Sequence, residues 1–263
     1  MSHKLQIIPI SAFEDNYIWL LHNGKQAIVF DPGDATPVIG ALNTLNLQLQ
    51  SILITHHHHD HIDGVKALMQ AFPNVTVYAP SLEKYSFEHA SVYEPNIIQF
   101  EDFYHHNKPL SFSVINLPGH TLGHIAYYAK GILFCGDTLF GAGCGRLFEG
   151  SPAQMYNSLQ KLAVLPQDTQ VFCTHEYTLH NIHFALTLEP KNKALLARLT
   201  DTQKRRQNNL PSLPSSIHLE LGTNPFLRCN SREFQRAIQQ SISLNSTNPL
   251  NIFTIIRKMR NLY

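Results

Sequence analysis

The chain has 263 residues, 43% of them hydrophobic, with 20 Lys and Arg against 19 Asp and Glu for a formal net charge of +1. A chain of this length can bury a large core and allows one large domain plus a smaller one. It contains no apolar run of the roughly eighteen residues that a membrane-spanning helix needs, so no such helix is expected. The opening residues, Met1-Ser2-His3-Lys4-Leu5-Gln6, lack the charged-then-apolar layout of a signal peptide.

Taken in chain order, the first informative segment is the apolar run Ser51-Ile52-Leu53-Ile54, followed directly by Thr55-His56-His57-His58-His59-Asp60-His61. A β-branched run of this length predicts a buried strand, so the histidines are delivered at its C-terminal end. Side chains alternate along extended chain, which turns His56, His58 and Asp60 to one side and His57 and His59 to the other. His61 follows as the chain enters a helix predicted from Gly64-Val65-Lys66-Ala67-Leu68-Met69. Imidazole and carboxylate in this pattern suit zinc, iron or manganese.

Three later strand-like runs end in the same kind of residue. Phe112 to Leu117 leads into Pro118-Gly119-His120, Gly131 to Gly136 leads into Asp137, and Thr169 to Thr174 leads into His175. A lone His after a strand is more often structural, and Gly-Asp is an ordinary turn. Four strand ends together are what an active site at the edge of a sheet requires, because its ligands must converge from distant segments.

Beyond residue 175 the texture changes. Helix-like runs appear at 190–207, 231–241 and 249–260, with a Pro/Ser linker expected at 211–216. The charge changes too: residues 1–175 carry 8 Lys and Arg against 14 Asp and Glu, whereas residues 176–263 carry 12 against 5. A basic C-terminal part suits a solvated face, a nucleic acid or an anionic small molecule. In the last run Ile252, Ile255, Ile256 and Met259 mark an apolar helix face, and Arg257 and Arg260 share another. Two guanidinium groups on one face suit carboxylates. The four cysteines, Cys135, Cys144, Cys173 and Cys229, are widely spaced with no CxxC, which predicts a reducing, cytoplasmic setting without disulfides.

The set His56-x-His58-x-Asp60-His61, His120, Asp137 and His175 resembles the binuclear metal set of the metallo-β-lactamase superfamily. Further segments narrow the resemblance to glyoxalase II, the hydroxyacylglutathione hydrolases. They are Phe13-Glu14-Asp15-Asn16-Tyr17, Gly136-Asp137-Thr138-Leu139-Phe140, the stretch from Gly143 to Gly150, His175-Glu176-Tyr177-Thr178 and Asn224-Pro225-Phe226-Leu227-Arg228. These segments span nearly the whole chain in the family's order.

The resemblance implies an α/β fold: an αββα metallo-β-lactamase-like sandwich over residues 1–175, then a smaller helical substrate-binding domain over 176–263. It implies two divalent metal ions, expected to be zinc with iron and manganese as the alternatives. One would be held by His56, His58 and His120 and the other by Asp60, His61 and His175, with Asp137 bridging. The implied reaction is hydrolysis of S-(2-hydroxyacyl)glutathione thioesters, S-D-lactoylglutathione to D-lactate and glutathione, by a metal-bound bridging hydroxide. This is the second step of methylglyoxal detoxification. Arg146, Phe148, Tyr177, Asn181, Arg257 and Arg260 would hold the glutathione moiety. Some family members carry Lys where Arg146 and Arg260 stand, and Tyr where Phe148 stands, which bears on substrate affinity and not on the chemistry.

The expected partner is therefore a small-molecule S-acylglutathione, with no nucleic acid and no membrane, and the chain is expected to be a monomer. Within the superfamily the rivals are β-lactamases, lactonases and tRNA-processing nucleases. The glycine-rich segment 143–150 and the terminal arginine pair favour a glutathione thioester, and the acidic character of residues 1–175 opposes a polyanion. A non-catalytic metal-binding module would have no need of a bridging carboxylate.

Overall fold

A computed structural model of the protein describes residues 5–263; the opening residues 1–4, on which part of the signal-peptide reading falls, lie outside the described residues. The chain divides into two compact units, one running to residue 116 and resuming over 123–136, the other made of 117–122 and 137–263.

The first unit contains β1 (Gln6–Ala12), β2 (Asn16–His22), β3 (Gln26–Phe30), α1 (Ala35–Thr44), β4 (Gln48–Leu53), α2 (His59–Ile62), α3 (Val65–Ala71), β5 (Thr76–Pro80), β6 (Ala90–Val92), β7 (Ile97–His105), β8 (Lys108–Asn116), β9 (Ile125–Ala129) and β10 (Ile132–Gly136). Strands β1 to β6 form one sheet in chain order. The pairs β1–β2 and β2–β3 are antiparallel, and β3 to β6 run parallel. Strand β2 is buried along its whole length, the mark of a strand covered on both faces. Strands β7 to β10 form an antiparallel meander. Strand β7 alternates in burial over its first five residues, as a strand with one wet face must.

The two sets of strands meet face to face through aromatic rings. Phe30 stacks on Phe134 at 3.6 Å between centroids and meets Phe112 and Tyr127 edge-on at 5.7 and 6.0 Å. The Tyr127 hydroxyl donates to the Ile54 carbonyl at 2.7 Å, which satisfies its one buried polar group. On the other face of the first sheet, Val38 and Leu42 of α1 and Val65 and Leu68 of α3 join Ile18, Leu20, Val29, Ile52 and Val77 in one cluster. Asp34 caps α1 by accepting from the Thr36 amide.

The second unit contains β11 (Leu139–Phe140), β12 (Gly143–Cys144), α4 (Pro152–Ala163), β13 (Gln170–Cys173), α5 (Thr178–Leu188), α6 (Lys193–Gln207), β14 (Ser215–Ser216), α7 (Ile217–Thr223), α8 (Arg232–Ile242) and α9 (Pro249–Leu262). Helix starts follow local chemistry. Ser151 and Gln154 form a capping box before α4, and Asn192, Ser231 and Asn248 cap α6, α8 and α9. The three helices expected from the sequence are present, each starting just after its cap. Two more, α5 and α7, had no clean polar face to announce them.

The stretch 211–216, expected as a linker, is fixed structure. Ser215 and Ser216 pair antiparallel with Val171 and Gln170. The Ser212 hydroxyl bonds the carboxylate of Glu176 and the Thr178 hydroxyl. Serine hydroxyls that find buried acceptors turn a loop-like composition into an anchor. Among the described residues no helix is long and apolar enough to cross a membrane.

Candidate metal centre

In the first unit the His motif is reached as expected, off the end of β4. Thr55 sits there because Asp31, at the end of β3, accepts from both its amide and its hydroxyl at 2.7 Å. The chain is extended at His58 and then coils into α2. The Nε2 of His56 lies 3.0 Å from Nδ1 of His58, and the His56 and His61 rings are 4.0 Å apart. His57 and His59 turn away as predicted, His57 to Glu83 at 3.2 Å and His59 into solvent beside Asp63 at 3.1 Å. The expected reason for Asp60 needs correction. It is oriented by a helical turn and not by strand alternation, and its carboxylate lies 3.6 Å from Nε2 of His61.

Groups behind this cluster hold it in place. Asp31 Oδ2 lies 3.1 Å from Nδ1 of His61, which leaves Nε2 as the donor atom for a metal. Asn16 donates to Asp60 Oδ2 at 2.9 Å. His124 is buried and stacked on His56 at 4.8 Å. Gly136 has φ of +47°, and a Cβ there would come within 2.3 Å of the Thr55 hydroxyl and 2.9 Å of His124, so only glycine fits. Asp31 was not legible as a site residue, since nothing in Phe30-Asp31-Pro32 singles it out. Asp31→Asn is expected to weaken metal retention by about 10–100-fold, measured by competition with a coloured chelator.

The second unit supplies the other three residues. His120 and His175 each bring Nε2 to 3.3 Å from the same oxygen of Asp137. Nδ1 of His120 lies 2.8 Å from the Arg146 carbonyl, which fixes the tautomer with a lone pair on Nε2. His175 stacks flat on Tyr177 at 4.7 Å. Gly145 lets this segment close on Asp137, whose carbonyl oxygen is 1.9 Å from where a Cβ would stand.

All seven residues belong to His and Asp groups able to hold a metal ion. Five imidazoles and two carboxylates, all buried except the half-buried His58 and Asp60, offer nitrogen and oxygen donors of the kind that fits borderline divalent ions.

Beside His120 and Asp137, within the same unit, lies a cavity of about 500 Å³. Arg146, Phe148, Tyr177, Asn181, Arg257 and Arg260 all line it, as do Phe140, Cys144 and His180, which sequence reasoning passed over. Phe140 and Cys144 belong to a two-strand hairpin spaced by glycines, and that spacing was the available signal. Phe148 is 60% exposed, with its ring edge toward His120 at 5.3 Å.

The α9 arginines differ from expectation. The inward face is Ile252, Phe253, Ile256 and Arg257, with Ile255 and Met259 only partly covered. Arg257 is buried because it donates to the Cys144 carbonyl at 2.7 Å and to Asn261 at 3.0 Å, with its guanidinium 5.2 Å from the Phe226 ring centre. These partners offset the cost of burying the charge. Arg260 donates twice to Asn181 Oδ1, at 3.2 and 3.1 Å. The Asn181 amide in turn donates to the Gly141 carbonyl at 3.0 Å, so Asn181 couples Arg260 to the hairpin. Partial burial, and then the neighbouring Arg257, lower the pKa of Arg260. Burial, then Arg260 and His183, lower that of His180. Burial raises the Cys144 thiol, against the pull of Arg257. The cavity is thus cationic through its arginines.

Two family models match the chain. One described as the metallo-beta-lactamase superfamily covers residues 13–175, and one described as the hydroxyacylglutathione hydrolase C-terminus covers 176–263. A hydroxyacylglutathione hydrolase of Methylobacillus flagellatus is 54% identical over 97% of this chain and 98% of its own. One of Aeromonas hydrophila is 47% identical over 98% and 99%. Among solved structures, ETHE1 from Myxococcus xanthus superposes with a TM-score of 0.62 at 24% identity, covering 97% of this chain and 99% of that one, a likeness of fold. The architecture is the αββα metallo-β-lactamase-like sandwich with a C-terminal helical region. The chain belongs to the hydroxyacylglutathione hydrolases, the glyoxalase II family of the metallo-β-lactamase superfamily.

Proposed function

We propose that this hydrolase cleaves S-(2-hydroxyacyl)glutathione thioesters, S-D-lactoylglutathione among them, with two zinc ions held by the seven His and Asp residues described above. His56, His58 and His120 would hold one ion and Asp60, His61 and His175 the other, with Asp137 placed to serve both. Two divalent ions bound there would supply a nucleophilic hydroxide at neutral pH and polarise the thioester carbonyl. The observation that carries the reading is the carboxylate of Asp137, approached at 3.3 Å by two imidazoles, with a cationic cavity alongside it in the same unit.

The chain's own residues divide the remaining work. The Arg146 carbonyl fixes the tautomer of His120, and the Asp31 carboxylate stands 3.1 Å from Nδ1 of His61. Arg257 and Arg260 offer positive charge to the carboxylates of the tripeptide, and Arg146, Phe148, Tyr177 and Asn181 line its path. The leaving group is a thiolate whose conjugate acid has a pKa of about 8.5, so no separate general acid is needed. Residues 1–175 act as the catalytic domain and 176–263 as the substrate-binding domain. We propose also a monomer in a reducing, cytoplasmic setting. Four buried, unbridged cysteines support that compartment.

The test is loss of thioester absorbance from S-D-lactoylglutathione with purified protein, before and after chelation and zinc restoration. Rapid turnover that chelation removes and zinc restores is the expected result, with about two zinc ions per chain by elemental analysis. No turnover by fully metal-loaded protein overturns the reading, and a different metal in the purified protein overturns the zinc assignment alone.

A further inference from the structure

We infer that Phe13 is a specificity residue for the acyl group, an apolar wall beside Asp60; this rests on the reading above of Asp60 as a metal ligand and of the substrate as a 2-hydroxyacyl thioester. Phe13 stands in the turn between β1 and β2 with φ of +52°, a region where a bulky L side chain is strained. Its ring is also 59% exposed. Fold stability alone would favour glycine or asparagine at such a position, and it gains little from a large apolar ring left in water. A strained, exposed phenylalanine is therefore unexplained by the fold, and strain of this kind is a pointer to function.

Its surroundings say which function. A Cβ added to Gly33 would lie 2.8 Å from Cε2 of Phe13 and 2.4 Å from the carbonyl carbon of Asp60. Gly33 thus lets the ring come down beside the main chain of Asp60 with no side chain between them. Asn16, three residues after Phe13, donates to both the carboxylate and the carbonyl of Asp60, at 2.9 and 3.4 Å. Turn and ligand are therefore tied together, and the ring keeps a set position beside Asp60. A phenyl ring offers no hydrogen bond, so it sorts acyl groups by the size and apolarity of their substituent and leaves the 2-hydroxyl to polar partners.

The experiment compares kcat/KM for S-glycoloyl-, S-D-lactoyl- and S-D-mandeloylglutathione in the metal-loaded protein and in Phe13→Ala, Phe13→Leu and Phe13→Gly, with metal content measured on each. Phe13→Ala is expected to lower the mandeloyl-to-glycoloyl ratio about tenfold, Phe13→Leu to recover most of it, and metal content to stay unchanged. Phe13→Gly, which relieves the positive φ, gives the same ratio as alanine and serves should the alanine variant not fold. A ratio within about twofold of the unaltered protein overturns the inference. So does a fall in metal content with all three substrates slowed alike, which makes Phe13 a prop for Asp60. If the unaltered protein hydrolyses none of the three, the underlying reading fails and this inference falls with it; turnover of all three with an unmoved ratio sinks the inference alone.

Discussion

His58→Ala is expected to lower activity by more than about a hundredfold and to reduce the metal retained on purification, while His57→Ala stays within about tenfold of the unaltered protein. The contrast follows from adjacent residues facing opposite ways: His58 reaches Nε2 of His56 at 3.0 Å, and His57 reaches Glu83. Removing a group one step out from a metal ligand costs about 10–100-fold, so loss of a ligand must exceed that range and loss of His57 must fall near its lower end. Kinetics with S-D-lactoylglutathione and elemental analysis of both variants decide it. Equal losses would mean that the backbone at 55–58 does not hold the two faces apart.

Glu220→Ala is expected to produce the largest loss of stability. Glu220 is fully buried; one oxygen accepts from Arg198 at 2.6 Å and from the Ser215 hydroxyl, the other from the Ala142 amide and Asn224, each at 2.9 Å. Removing one partner of a buried ion pair leaves the other charge uncompensated, at a cost of about 3–5 kcal/mol. At about 2–4 °C per kcal/mol for a chain of this size, Tm falls by about 10 °C. The double variant Arg198→Met with Glu220→Leu is expected to recover most of that loss, because no unpaired charge is left behind. Thermal unfolding of the metal-loaded protein measures both. A double variant no more stable than Glu220→Ala would show that the hydrogen bonds to Ala142 and Asn224, and not the charge on Arg198, carry the effect.

That network also bears on the cavity. Asn224 donates to the carbonyls of Phe140 and Gly143, at 3.2 and 2.9 Å, and Asn181 to that of Gly141. The hairpin carrying Phe140 and Cys144 is thus held by Asn181 of α5, Glu220 of α7 and Asn224, the residue that ends α7. Ala142 takes a φ of +54° within it, a conformation that persists only because its neighbours over-determine it.

Sequence alone was enough for the strand ends and for the alternation that separates His58 from His57. These are local properties: a buried strand needs a run of apolar residues, and successive side chains must oppose one another. It also carried three of the C-terminal helices as helix-like runs. What it did not carry lies in pairings between residues far apart in the chain. Asp31 meets Thr55 and His61, Glu220 meets Ala142, and Arg257 meets the Cys144 carbonyl. The helical turn that aims Asp60, the burial of Arg257 and the anchoring of the Pro/Ser stretch belong to the same class. A polar residue's role is set by the partner that satisfies it when buried, and only the tertiary structure brings that partner within reach.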